Sequence, residues 1–210
     1  MSPLPRPDAR RPRRVGILGG TFDPIHIGHL AAAVNVRAAL ELDTVLFVVA
    51  NLPWQKVDER SVTQARDRFD LVAAAIGTVD GLEACALEIE RGGPSYTIDT
   101  IDELRATAPD DELFLIVGSD VAASIGTWKQ PERIRDSVTL VVMNRAGTPP
   151  IGQQATTLDG WTSVIVEIPA LAISSTDLRA RAASGRPLDF LVPDAAIRVI
   201  VDRGLYPGTR

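Results

Sequence analysis

Histidine and cysteine are among the scarcest residues of this 210-residue chain: two of the first and one of the second. A single cysteine, Cys85, excludes an internal disulfide and any zinc site built on several thiolates. It lies in the weakly alternating run LEACALEI and reads as a small buried apolar residue. Long apolar runs are also missing. None approaches the ~20 residues needed to cross a bilayer, so no membrane partner is expected. No apolar stretch precedes Val15, so no secretory leader is expected and the location reads as cytoplasmic.

Basic charge is scarce too, except at the start. The net charge is −5, yet residues 1–14 carry five arginines against Asp8, which leaves about −9 for the remainder. An acidic body lacks the basic face that sequence-independent nucleic-acid binding requires, so no nucleic-acid partner is expected. Residues 1–13, with four prolines and little to bury, read as a disordered basic tail. Residues 14–207 read as one domain with a small C-terminal helical portion.

What is present is alternation. Short apolar β-type runs (residues 14–18, 44–50, 82–89, 113–118, 138–143 and 162–168) are separated by helical stretches near 28–41, 63–77, 97–108 and 131–137. Two more helices are expected near 175–184 and 193–203. Several of the runs are apolar throughout, as in strands covered on both faces. The pattern predicts an α/β fold with a mostly parallel sheet, whose ligands bind beyond the carboxyl ends of the strands.

Both histidines fall in one stretch, GGTFDPIHIGHL, residues 19–30. Gly19 and Gly20 close the first strand and permit close approach of a ligand. Asp23-Pro24 reads as a turn into a helix. His26 and His29, three apart, fall on one side of that helix's beginning, where anions are favoured. A polyphosphate suits this arrangement. Zinc lacks further ligands and the HExxH pattern, while the GxGxxG and P-loop spacings are absent. Two histidines held by ordinary structural hydrogen bonds remain the plain alternative. A second stretch, ISSTDLRAR (residues 173–181), sets three hydroxyls before a helix with Arg179 one turn on. It reads as a helix cap and also as an anion site.

The first stretch resembles the HxGH motif of nucleotidyltransferases, and the second resembles their ISSTxxR signature. More narrowly, the chain is similar to bacterial nicotinate-nucleotide adenylyltransferases in SYTIDT (95–100), FLIVGSD (114–120), TWKQPERI (127–134) and LVPDAAIRVIVDRGLY (191–206). The resemblance runs over roughly residues 13–206. It implies a Rossmann-like sheet and transfer of an adenylyl group from ATP to nicotinate mononucleotide, with Mg2+. It implies catalytic roles for His26, His29, Lys56 and Arg179. It places ATP at Gly19, Gly20, Thr21, Phe22 and Gly28, at Gly118 and Asp120, and at Ser174, Ser175 and Thr176. The mononucleotide falls to Lys56, Tyr96, Thr97, Trp128 and Lys129. No residue is assigned to a metal. The family's PPHK-like loop reads PWQK here (53–56), so only Lys56 keeps that pattern. Nicotinamide mononucleotide or phosphopantetheine as acceptor, and a nucleotide sensor without catalysis, are the competing readings.

Overall fold

In a computed structural model, the alternating runs form one six-stranded sheet. The structure describes residues 11–53, 62–77, 79–145 and 160–208. The strands are β1 (Arg14–Gly20), β2 (Thr44–Val49), β3 (Leu82–Cys85), β4 (Glu112–Gly118), β5 (Thr139–Arg145) and β6 (Ser163–Ile168). They lie in the order β3-β2-β1-β4-β5-β6, every pair parallel. Helices α1 (Ile27–Ala39), α2 (Ala65–Ile76), α7 (Ser175–Ala183) and α8 (Asp194–Asp202) contribute to the core on one face. Helix α4 (Thr97–Thr107), short α5 (Ser119–Ala122) and α6 (Pro131–Ser137) close the other.

Strand residues alternate between the two cores. On β4, Phe114 and Ile116 join the α1/α2 side, whereas Leu113, Leu115 and Val117 join the α4/α6 side. This is the period of two that a pleated strand imposes, and double coverage explains why the run is apolar throughout. Helix α8 docks through buried Ala196 and Ile200. Arg203 then forks to Asp67 (2.6 Å) and Asp70 (2.7 Å) on α2. Full burial of one isoleucine contributes about 1.5–3 kcal/mol, against about 0–1 for a half-exposed ion pair. Packing therefore holds α8, and Arg203 sets its direction.

The strand expected over residues 82–89 ends at Cys85, and Leu87–Arg91 forms a short helix, α3. Among the described residues β3 is an edge strand, and its neighbour β2 stops at Val49, so no β2 residue stands opposite 87–89. Helical spacing instead turns Glu88 inward, where its carboxylate accepts the Thr100 hydroxyl at 2.6 Å. That polar pairing outweighs the weak apolar alternation of the sequence. The remaining boundaries shift by a few residues, with β1 running on to Gly20 and β5 to Arg145.

β1 and β4 pair only from Arg14↔Glu112 to Ile17↔Leu115. Past that point the strands diverge, and a crevice opens where the direction of winding reverses.

Candidate active site

The crevice is a cleft of about 470 Å3, walled by the ends of β1 and β4 and by the start of α4. Gly19 lies exposed on it, and a Cβ there would meet no atom within 4 Å. Gly20 is different. A Cβ on it would strike the Phe22 ring at 2.8 Å. Phe22 takes a left-handed φ of 49°, which tucks its ring under the glycines and edge-on to His29, with centroids 5.1 Å apart. The Asp23–Pro24 peptide is cis.

His26 is the extended N-cap of α1, with His29 three positions into the helix. Their rings stack at 3.7 Å between centroids, 25° from parallel. The His26 backbone N–H donates to His29 Nδ1 at 3.3 Å. With Nδ1 accepting, a neutral His29 carries its proton on Nε2, a tautomer assigned from that bond. The His29 amide donates to the His26 carbonyl, while His26 Nδ1 is buried and has no hydrogen-bond partner among the described residues. Burial pushes His26 down to about 4, and the Arg145 guanidinium adds to the shift. At neutral pH His26 is an uncharged donor.

The second stretch docks against the first. The Ser174 side chain caps α7 by accepting the Asp177 N–H at 3.1 Å. The Ser175 hydroxyl donates to the Pro24 carbonyl at 2.8 Å. Arg179 donates to the Asp23 carbonyl at 2.7 Å and to the Thr176 hydroxyl at 3.1 Å. Below them the buried Asp23 carboxylate accepts the Tyr206 hydroxyl at 2.9 Å. Burial and that carboxylate push the Tyr206 phenol far up, so it stays a donor. Ile27 N–H reaches the Leu191 carbonyl at 3.0 Å. Segments far apart in the sequence thus meet under the histidines.

Across the cleft stands the N-terminus of α4, with Tyr96 as N-cap and Thr97 first in the helix. The first amides of a helix have no intrahelical acceptor and favour anions. Lys129 Nζ lies 4.6 Å from the Tyr96 ring centroid and pairs with both Asp99 oxygens at 2.9 and 3.0 Å. Trp128 is half-buried on the wall, and its indole nitrogen is buried without a partner among the described residues. Asp120 is exposed beside Gly118, where a Cβ would lie 2.5 Å from its Oδ1.

Of the residues singled out in the sequence, Gly19, Gly20, Thr21, His29, Tyr96, Thr97, Gly118, Asp120, Trp128 and Lys129 line the cleft. Phe22, His26, Gly28, Ser174, Ser175, Thr176 and Arg179 are not among the lining residues; Phe22 and His26 back the His29 ring, and Ser175 and Arg179 hold the loop beneath the histidines. Lys56, with the rest of 54–61, falls outside the described residues. Cys85 is a half-buried thiol pushed up by burial, in keeping with its apolar reading. Sequence reading missed Asp23 as a buried acceptor, Tyr206 as its donor, and the buried Arg68. Arg68 had a signal: it occupies the buried stripe of α2 together with Leu71, Val72 and Ile76.

A parallel sheet in this order, with helix N-termini facing each other across its reversal point, defines a nucleotide-binding protein of the doubly wound α/β class. The sequence pattern of the cytidylyltransferase-like family matches residues 17–181. A "Probable nicotinate-nucleotide adenylyltransferase" of Corynebacterium kroppenstedtii is 43% identical over 195 residues, 92% of this chain and 90% of that protein. One of the same name from Streptomyces coelicolor is 45% identical over 191 residues, covering 91% of this chain and all of that one. The fold is shared with the Plasmodium falciparum nicotinic acid mononucleotide adenylyltransferase complexed with NaAD, at TM-score 0.75 and 18% identity over 92% of this chain and 97% of that one. The chain belongs to the nicotinate-nucleotide adenylyltransferase family.

Proposed function

We propose that the protein joins ATP and nicotinate mononucleotide into nicotinate adenine dinucleotide and pyrophosphate, using the cleft at the β1/β4 divergence. The observation that carries this reading is the stacked His26–His29 pair on one side of the cleft, facing the N-terminus of α4 on the other. One wall suits a triphosphate, and the opposite wall suits a second anion.

The mononucleotide's 5′-phosphate oxygen attacks the α-phosphorus of ATP. A new P–O bond forms, the bond to the bridging α–β oxygen breaks, and its electrons leave on pyrophosphate. The nucleophile is already anionic, so a general base adds little. Positioning and stabilisation of developing charge remain as the protein's tasks. His29 offers Nε2–H to phosphate oxygen, with His26 stacked behind it. Gly19 and Gly20 let the chain approach the phosphates, with Thr21 and Gly28 flanking them. Gly118 and Asp120 border the adenosine side. Ser175 and Arg179 fix the loop under the histidines, Ser174 caps α7, Thr176 braces Arg179, and Lys56 supplies a further cation. Trp128 and Tyr96 flank the pyridine ring. The Thr97 amide, at the positive N-terminus of α4, favours a carboxylate on that ring over a neutral amide, with the Lys129–Asp99 pair beside it.

No three His, Cys, Asp or Glu side chains converge into a metal-holding group among the described residues. Mg2+ would enter with the nucleotide, held by phosphate oxygens and water, with no side chain assigned to it. When bound, the ion neutralises phosphate charge. Residues 14–207 serve as one working unit, because the segments on either side of α8 hold the first motif through Leu191 and Tyr206. No helix among the described residues is long and apolar enough to cross a membrane. Both substrates are charged nucleotides that do not cross bilayers unaided, which supports a cytoplasmic setting.

His29→Ala tests the assignment. Losing one preorganised donor to developing charge costs about 10²–10³-fold in turnover in comparable sites. The variant should fold normally and release pyrophosphate that much more slowly. Turnover within threefold of the parent would remove His29 from the mechanism.

A further inference from the structure

Arg68 is 1% exposed, and each arm of its guanidinium goes to a different segment. Nη1 donates to the Thr21 carbonyl at 2.8 Å, in the loop that leads from the glycines to the histidines. Nη2 donates to the Asn51 carbonyl at 3.0 Å, just past β2. Nε donates to the Thr63 carbonyl at 2.8 Å, ahead of α2. Asn51 carries the connection across the cleft. Its amide N–H donates to Ser95 Oγ at 2.8 Å, and its side chain donates to the Gly93 carbonyl at 2.9 Å. Ser95 N–H returns to the Leu52 carbonyl at 3.0 Å. Ser95 immediately precedes Tyr96 and Thr97. One run of hydrogen bonds therefore joins the phosphate wall to the pyridine wall, with Arg68 at its centre.

The position is a costly place for a charge. Arg68 shares the stripe of α2 that buries Leu71, Val72 and Ile76, where an apolar side chain would avoid desolvation. The planar guanidinium offers donors in fixed, divergent directions that can meet three carbonyls at once. Lysine, a point charge on a flexible stem, cannot reproduce that fork.

We propose that Arg68 is a positioning residue for the transfer reaction, fixing the separation and angle between the ATP and mononucleotide halves of the cleft. It touches neither substrate. The inference rests on the adenylyl-transfer reading above. Each half-site is complete without Arg68, so each substrate alone should bind the variants nearly as well as the parent. Turnover depends on how the two phosphates face each other, and misplacement of that kind lowers rate steeply.

The test measures three quantities in Arg68→Lys and Ser95→Ala proteins. These are the Kd for nicotinate mononucleotide alone, the Kd for a non-hydrolysable ATP analogue alone, and kcat for pyrophosphate release below the melting temperature. Expected are Kd values within about threefold of the parent and a kcat lowered about tenfold or more in each variant. The double variant should be little worse than the worse single one, because both substitutions break one connection. A parent protein that releases no pyrophosphate would sink the adenylyl-transfer reading itself. A competent parent with unchanged kcat in folded Arg68→Lys, Kd values weakened as much as kcat, or fully multiplicative effects in the double variant would overturn the role of Arg68. Should Arg68→Lys fail to fold, half-buried Ser95→Ala decides alone: kcat falls with Kd values kept, or the proposal is wrong.

Discussion

His26 and His29 differ in what their surroundings permit. His29 lines the cleft with Nδ1 occupied by a backbone amide, so its donor is Nε2–H. His26 is buried behind it and held near 4, well under the ordinary 6.5. A buried neutral imidazole next to incoming phosphates costs little to keep when empty, whereas a buried cation would destabilise the empty site. The depressed value has a consequence for stability. Above pH 6.5 both folded and unfolded His26 are neutral and the group contributes no pH dependence. As pH falls from 6.5 to about 4, the unfolded chain takes up the proton and the folded protein resists it, so stability is lost across that window. The loss reaches about 3 kcal/mol once pH is below 4, at 1.36 kcal/mol per pKa unit. Urea unfolding of parent and His26→Gln at pH 7 and pH 4.5 should show the parent losing more, by one to a few kcal/mol. Equal losses would place the His26 value close to normal.

Strand β1 carries glycines with opposite demands. Gly16 points into the core, where a Cβ would lie 2.9 Å from both Ile116 Cδ1 and Leu42 Cδ1 and 3.1 Å from Val45 Cγ2. Gly19 faces open space on the cleft. Gly16→Ala should therefore overpack the core and cost about 1–3 kcal/mol in denaturant unfolding. Gly19→Ala should leave stability within about 0.5 kcal/mol of the parent while raising the KM for ATP. An unchanged KM for ATP in Gly19→Ala would mean that ATP phosphates do not approach the chain there. At this scale the sequence was readable wherever period and coverage agreed. The runs at 44–50 and 113–118 were legible as buried strands because continuous apolar character leaves no other use for a short segment. The segment 86–89 was not, because its conformation follows from where β2 ends and from a hydrogen bond between Glu88 and Thr100, twelve residues apart. The short helix α5 was likewise invisible: four residues carry too little periodicity to register.

At the scale of the molecule, the first motif is held by the last residues of the chain. Tyr206 and Asp23 are 183 positions apart, and their bond is part-buried. Removing the hydroxyl in Tyr206→Phe leaves a buried carboxylate short of a donor, at about 1–3 kcal/mol. The variant should unfold at lower urea. It should also turn over more slowly, because Asp23 opens the loop that delivers His26. Unchanged stability would make the Tyr206 contact incidental. No spacing rule could have found this pair, nor the three-way reach of Arg68, since both depend on how the sheet folds back on itself. The histidine stretch was legible for the opposite reason. Its glycines, turn and two imidazoles are contiguous, so local geometry alone places them at a strand end beside a helix start. The structure puts Thr97, Lys129 and Trp128 on the facing wall, a placement their separate positions along the chain do not dictate.

The most direct measurement is pyrophosphate release from ATP and Mg2+, with nicotinate mononucleotide, nicotinamide mononucleotide and phosphopantetheine offered separately at equal concentration. The expected result is rapid release with nicotinate mononucleotide and much slower release with the other two, in keeping with the positive N-terminus of α4 on the cleft. Comparable release with nicotinamide mononucleotide would contradict the role proposed for Thr97. Binding of ATP with no release from any acceptor would contradict catalysis altogether.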